Sequence, residues 1–198
     1  MIRIQKSLHI TTLSAIATIV LAACAPANQT TTPPDAASPP PTVATTSPSP
    51  PATELPVGVS IPGVTNVGEI NFITTSTGAQ GFFDGVNGSN ASRIEVSGTD
   101  PINVYGWAIL TNKGRPADNV IITYGDNNAV VAVAPVNVER PDVAKVLNNS
   151  AFTNSGWNIS FDASTLPEGS LMLKAWAYDS EAREATQLTT TREVLITR

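Results

Sequence analysis

Histidine and cysteine are almost absent from this chain of 198 residues, which has one of each, His9 and Cys24. Both precede residue 25. The rest of the chain therefore lacks the side chains for Ser-His-Asp or Cys-His nucleophilic catalysis, for histidine-based acid–base chemistry and for the usual zinc sites. A single cysteine also excludes an internal disulfide, so the folded part must be stable through its core alone.

Basic residues are scarce as well, with 11 Lys and Arg against 16 Asp and Glu. Arg3 and Lys6 lie in the first 23 residues, which contain no acidic residue. Without that segment, 9 basic and 16 acidic residues remain, a formal charge of −7. This charge argues against a nucleic-acid partner and against electrostatic binding to anionic lipid.

An uninterrupted apolar run of transmembrane length is also missing. After Arg3 and Lys6 the chain turns apolar, but threonine and serine interrupt the run, which stops at Ala22 and Ala23. A transmembrane helix needs about 20 predominantly apolar residues. A positive start, a short apolar run and small residues in this order indicate a cleaved export signal.

The residues Leu21-Ala22-Ala23-Cys24 resemble the lipobox of bacterial lipoproteins. The resemblance implies cleavage between Ala23 and Cys24 and a diacylglycerol thioether on Cys24. Each acyl CH₂ contributes ~0.8 kcal/mol to membrane attachment, and two or more chains hold a protein stably. We therefore expect residues 1–23 to be a lipoprotein signal peptide and the chain to be lipid-anchored in a bacterial cell envelope, on the extracytoplasmic side. The alternative is an ordinary secretory signal with an incidental cysteine.

Residues 24–60 are rich in proline, threonine, serine and alanine. Such a segment has too little apolar surface to offset the entropy of ordering its backbone, and its prolines favour extended polyproline II. We predict that this lipidated N-terminus is a disordered linker that carries the following domain away from the membrane.

Residues 61–198 show period-two alternation of apolar and polar residues, with turn residues between the segments. The predicted strands are 69–74, 92–96, 102–110, 120–124, 129–138, 156–161, 171–178 and 187–196. This pattern predicts a single all-β domain, an antiparallel β-sandwich of immunoglobulin-like type.

One short helical turn is predicted in residues 139–149. Pro141 suits the first helical position and Asp142 suits the positive end of the helix dipole. Val143, Val146 and Leu147 are expected to form one apolar face. Arg140 and Asp142 are candidate binding residues, and the alternative is a cap with a surface ion pair.

Several short motifs are similar to a β-sandwich module of bacterial exported and envelope proteins. They are Gly106-Trp107-Ala108, Arg140-Pro141-Asp142-Val143, Ser155-Gly156-Trp157, Leu166-Pro167-Glu168-Gly169 and Ala175-Trp176-Ala177-Tyr178-Asp179. The resemblance implies the sandwich fold and no particular chemistry, since folds of this type serve many unrelated functions.

Aromatic residues mark two strands whose faces the alternation leaves ambiguous, although it places Trp157 in the core. Either their aromatic faces point inward, or the two strands present aromatic rings outward beside polar residues, as a platform for a sugar ring or a partner protein. The candidate binding residues of this second arrangement are Tyr105, Trp107, Lys174, Trp176 and Tyr178.

Carboxylates are the only catalytic groups available in number, and a pair of them could cleave a glycosidic bond. Most lie beside Gly, Asn or Ser in predicted turns, where the backbone uses short acceptor side chains. The oxygen-rich stretches 84–90 and 126–128 lack the ligand spacing of a calcium loop. We therefore expect no cofactor and no metal.

The predicted function is binding, adhesion or envelope scaffolding, with a glycan or an envelope protein as partner, and the alternative is a carbohydrate-active domain.

Overall fold

The computed structural model describes residues 55–74 and 78–198, so the predicted signal peptide, Cys24 and most of the predicted linker lie outside the described residues. Eleven strands are present in the described residues: β1 Asn71–Ile73, β2 Gly81–Val86, β3 Arg93–Ser97, β4 Pro101–Leu110, β5 Arg115–Pro116, β6 Asn119–Tyr124, β7 Ala129–Val138, β8 Gly156–Asp162, β9 Gly169–Asp179, β10 Glu184–Gln187 and β11 Arg192–Thr197. The helix α1 spans Pro141–Val146. The prediction of an all-β fold is confirmed.

Four segments depart from the predicted strands. The short strand β5 is absent from the prediction, and the predicted strand 69–74 is only β1, since Glu69 belongs to a 3₁₀ turn. The predicted strand 187–196 is two strands, because the chain bends between β10 and β11. Strand β2 is absent from the prediction, because Gly81 and the pair Asp84-Gly85 have the composition of a turn. The strand accommodates this pair through a register shift between Phe83 and Gly85, which is the signature of a β-bulge.

The strands form one curled sheet with two arms joined through β7. The first arm has β10 and β11 along one edge of β9, followed by β6 and β7. The second arm runs from β7 through β8 and β4 to β2. Strand β7 serves both arms, since its residues 129–135 pair with β6 and its Val136 and Val138 pair with β8.

The connection between β10 and β11 joins the two ends of the curled sheet. The Leu188 N–H donates to the Ala175 carbonyl of β9 (2.8 Å), and the Thr189 N–H donates to the Gly81 carbonyl of β2 (3.2 Å). The edge of β2 is therefore hydrogen-bonded rather than left open, which removes one of the exposed edges that an open sheet would present.

The main core lies between the two arms and contains the inward residues of both. On β4 these are the alternate residues from Ile102 to Leu110, including Val104 and Ala108, as the period-two pattern predicts. Trp157 of β8 is fully buried here, with its ring centroid 5.6 Å from that of Phe83. The prediction that Trp157 belongs to the core is confirmed.

A second cluster lies on the outer face of the first arm, beneath residues 55–73, which we call the N-terminal strap. Ile61, Val64 and Ile70 of the strap are buried against Ile121 of β6 and Trp176 of β9. Strand β1 belongs to the strap and pairs parallel with β10. The strap therefore gives the first arm a covered outer face as well as a covered inner one.

Helix α1 is present as predicted, with Pro141 at its start and Asn148 in the left-handed conformation after its end (φ 50°). Its predicted apolar face is wrong in part. Val143 is buried, whereas Val146 is 82% and Leu147 40% exposed. The helix is short, and the following 3₁₀ turn brings Phe152 against Val143 in place of the next helical turn.

An ion-pair network links the β5–β6 loop to the end of β9. The Arg115 guanidinium donates to the Asp118 carboxylate (2.6 Å), which also accepts the Ser180 N–H (2.9 Å) and hydroxyl (2.7 Å). Burial raises the pKa of Asp118, but these hydrogen bonds outweigh it and hold the pKa at about 2. The ionised form is therefore the one that the folded state stabilises.

Asp118→Asn is expected to lower the free energy of unfolding by about 1–2 kcal/mol at pH 7, because the ion pair with Arg115 is lost. The unfolded pKa of an aspartate is about 3.9, so this contribution is present above about pH 4 and is lost as the pH falls toward 2. Urea unfolding at pH 7, 4 and 2.5 measures it, with the exposed Glu168→Gln as control. Equal stability of Asp118→Asn and the unaltered chain at pH 7 would contradict this account.

Candidate functional site

Trp176 and Tyr178, two of the predicted binding residues, are fully buried. The hypothesis that they face outward as an open platform is therefore wrong. The Trp176 Nε1–H donates to the Thr123 hydroxyl (2.8 Å), and the Tyr178 hydroxyl donates to the Pro62 carbonyl (3.1 Å). Both side chains do point away from the main core, as the alternation allowed, but the N-terminal strap covers them.

Lys174 lies on the same strand and belongs to a turn rather than to a site. Its Nζ donates to the Gly125 carbonyl (2.9 Å) and to the Asn128 side-chain oxygen (3.2 Å). It therefore holds the β6–β7 turn, in which Asn128 has a left-handed backbone. The structure does not bring Lys174 together with Tyr105 or Trp107, which lie on the second arm.

Three half-buried aromatic residues share the outer face of the second arm: Phe82, Tyr105 and Trp107. Tyr105 and Trp107 are two residues apart on β4, and Phe82 of β2 lies directly opposite Trp107 in the antiparallel register. Directly opposed residues of an antiparallel pair project from the same face of the sheet. We call these three residues the aromatic platform.

Two glycines explain how flat side chains lie on this face. A Cβ at Gly85 would come within 2.6 Å of the Tyr105 hydroxyl oxygen, so the Tyr105 ring lies across β2 where that strand has no side chain. A Cβ at Gly156 would come within 2.9 Å of the Arg140 Cγ. The strands on either side of β4 are thus bare where Tyr105 and Arg140 rest on them.

Arg140 connects three elements at the border of the aromatic platform. Its guanidinium donates to Asp84 of β2 (2.7 Å) and to Asp142 of α1 (2.8 Å). Its stem lies over Gly156 of β8, which pairs with Trp107. Since β4 separates β8 from β2, the Arg140 side chain crosses β4 beside the aromatic platform. The structure therefore brings Arg140 and Asp142 together with Tyr105 and Trp107, as a group of predicted site residues.

The charges of this group are mutually neutralised. The hydrogen bond from Arg140 lowers the pKa of Asp142 to about 2, and the contact with Asp142 raises the pKa of the guanidinium. All three nitrogens of the Arg140 guanidinium donate to carboxylates. The cap and surface ion pair considered from the sequence is thus present, with Asp84 as a second carboxylate partner.

Uncharged polar side chains complete the outer face along β4 and β8. Asn103 donates from its amide to the Ser160 hydroxyl (3.0 Å), and Asn158 lies opposite Tyr105 with its side chain exposed. Sequence analysis missed Phe82, Asn158 and Ser160 as neighbours of Tyr105. The alternation within 156–161 assigns the last two to a polar face, but only the strand register places that face beside β4.

Trp107 is anchored from one side by the turn after α1. It packs against the cluster of Ile109, Val143 and Phe152 and is half-buried. The platform thus has a rigid support, since β4 is also hydrogen-bonded to a strand on each side. A rigid aromatic side chain offers contact area at low conformational cost.

Within residues 55–74 and 78–198, no group of three or more histidine, cysteine, aspartate or glutamate side chains is arranged to hold a metal ion. No helix in this part of the chain is long and apolar enough to cross a membrane. Comparisons with protein-family models, with curated protein sequences and with solved structures found no match to this chain.

Proposed function

We propose that this chain is a bacterial lipoprotein, anchored through Cys24, that displays a non-catalytic immunoglobulin-like β-sandwich for binding, adhesion or envelope scaffolding. The observation that carries the binding function is the aromatic platform, a face of three half-buried aromatic rings on a rigid arm. Surface aromatic residues of this kind are enriched where proteins recognise partners.

The interpretation as an immunoglobulin-like sandwich is supported by the way in which the arms share one core. The strands of each arm are mostly antiparallel, and their inner faces contribute alternate residues to the same buried cluster. Two sheets that pack face to face across such a core define a β-sandwich. In this chain the two layers are continuous through β7.

A non-catalytic role is supported by the state of the carboxylates. Asp84 and Asp142 are paired with Arg140, and Asp179 is paired with Lys113. A glycosidase needs one carboxylic acid with a raised pKa as its proton donor. In four carboxylates of the described residues, Asp118, Asp142, Asp179 and Glu69, the pKa is lowered, the opposite of the shift that a proton donor needs.

Display at a distance from the membrane is the role proposed for residues 24–60. An extended polyproline chain rises ~3.1 Å per residue, so a segment of this length reaches on the order of 100 Å when fully extended. The strap begins within the last residues of this segment, and it packs on the first arm. The aromatic platform lies on the second arm, and its three residues are not part of the buried cluster beneath the strap.

Cys24→Ser is expected to move the protein from the membrane fraction to the soluble fraction or to leave it with an uncleaved signal, because the acylated sulfur is lost. Cell fractionation with radiolabelled palmitate measures this. The control is Ala25→Ser, which keeps the cysteine and should remain labelled and membrane-bound. A Cys24→Ser protein that stays in the membrane fraction with its signal cleaved, or an unaltered chain without lipid label, would refute the anchor.

A further inference from the structure

We propose that the aromatic platform binds a neutral glycan, with uncharged pyranose rings stacked on Tyr105 and Trp107. This inference rests on the proposed function, since it names the class of ligand for the same binding face. The ligand is identified by four properties of the face: the position of its aromatic side chains, its charge, its uncharged polar groups and its rigidity.

The Tyr105 side chain lies on the outer face of β4, with its tip against β2. A Cβ at Gly85 would come within 2.6 Å of the Tyr105 hydroxyl oxygen and within 2.9 Å of its Cζ, and the side chain is half-buried. Side chains two residues apart on a strand are separated by about 7 Å, which places Trp107 where a second ring of the same glycan can contact it. The apolar C–H face of a pyranose ring matches such aromatic surfaces, which combine an apolar body with a polar tip.

The charge of the face selects against an acidic ligand. Arg140 is the basic residue at the border of the platform, and its guanidinium nitrogens already donate to Asp84 and Asp142. The charges at this border are therefore paired with one another, and Arg192 also donates to the Asp84 carbonyl (2.8 Å). A uronic acid, a sialic acid or a phosphorylated glycan would have to displace these carboxylates to reach a cation, whereas a neutral glycan needs no such exchange.

The polar groups beside the rings match sugar hydroxyls. Asn103, Asn158 and Ser160 provide amide and hydroxyl groups that both donate and accept hydrogen bonds. These groups carry no charge, so they are complementary to a neutral polyol. A protein partner that relied on charged contacts would gain little from this face.

The rigidity of the face lowers the cost of binding. Strand β4 is paired on both edges, and Trp107 packs against Val143 and Phe152. Little side-chain entropy is lost when a ligand stacks on rings that are already held in place. A shallow and preorganised face of this kind is suited to one stretch of a long polysaccharide.

The test is isothermal titration calorimetry of the full chain in a detergent without a sugar headgroup. The neutral probes are chitohexaose and cellohexaose, and the acidic probe is hexagalacturonate. The unaltered chain should bind at least one neutral probe and should not bind hexagalacturonate. Tyr105→Ala and Trp107→Ala should each weaken that binding about tenfold.

Two further variants keep the result interpretable. Tyr105→Phe retains the ring and should bind within about threefold of the unaltered chain, as stacking is the main contribution. Met172→Ala removes an exposed apolar side chain of the first arm and should leave binding unchanged. Near-ultraviolet circular dichroism checks that each variant is folded. If one alanine variant does not fold, the other alanine variant still tests the stacking against Tyr105→Phe.

Three results would overturn the inference: binding of hexagalacturonate alone, neutral binding that is unchanged in both alanine variants, or no binding of any probe. None of them affects the anchor. A chain that fractionates with the membrane through Cys24 but binds no probe refutes the glycan and leaves the proposed lipoprotein in place. A chain that binds a neutral probe but never carries lipid refutes the anchor alone.

Discussion

Trp176→Ala is expected to lower the free energy of unfolding by about 3–5 kcal/mol, the cost of truncating a large aromatic residue in a core. Trp176 is fully buried, and its ring makes an edge-to-face contact with Phe72 of the strap at 4.9 Å. The substitution also leaves the buried Thr123 hydroxyl without the donor it accepts from. Urea unfolding followed by far-ultraviolet circular dichroism measures the change.

The matched control is Trp107→Ala, which truncates the same residue type at a half-buried position. It should cost about half as much or less, because less apolar area is removed from a packed environment. Equal costs for the two substitutions would contradict the conclusion that the strap seals the outer face of the first arm and leaves the second arm partly open.

Gly106→Ala is expected to lower the free energy of unfolding by about 3 kcal/mol, at the upper end of the usual cost of overpacking. A Cβ at this position would come within 2.1 Å of the Phe82 carbonyl oxygen and within 2.8 Å of the Trp157 indole. Neither neighbour can move freely, since one is backbone of β2 and the other is a buried core side chain. Thermal unfolding measures the loss as a lower Tm.

Gly88→Ala is the control for the effect of adding a methyl group without a clash. Gly88 has a φ of 77°, and a Cβ added there would meet no atom within 4 Å outside its chain neighbours, so only the left-handed backbone is penalised. That penalty is about 1–2 kcal/mol. If Gly106→Ala proves no more destabilising than Gly88→Ala, the close approach of β2, β4 and Trp157 does not limit the stability of the second arm.

Strands with regular alternation could be predicted from the sequence with nearly their observed bounds. Strand β7 agrees at both ends with the predicted segment 129–138, and β4 begins one residue before its predicted start. Strand β2 could not be predicted from the sequence, because Gly81 and Gly85 have no side chains and interrupt the alternation of apolar and polar residues. Gly81 is required by the close approach of the Trp107 backbone, and Gly85 by the nearby Ser89 carbonyl and by the Tyr105 ring, so both glycines meet β4, a strand further along the chain.

Some residues of the candidate site could be predicted from the sequence, but the complete set of residues that meet there could not. Motifs and alternation identify Tyr105, Trp107, Arg140 and Asp142, and the structure groups them. Phe82 and Asp84 join them only because β2 pairs with β4 in one register. Trp176 and Tyr178 have the same local pattern as Trp107 and Tyr105, yet they are buried.

Local pattern was sufficient for the all-β class, for the start of α1 at Pro141 and for which residues of β4 and β9 share a face. Those properties depend on the backbone geometry of a few neighbouring residues. Which aromatic face stays open was decided by contacts across more than a hundred residues of chain, such as that of Tyr178 with Pro62. Alternation separates two faces of a strand, but the segment that packs on a face comes from elsewhere in the chain.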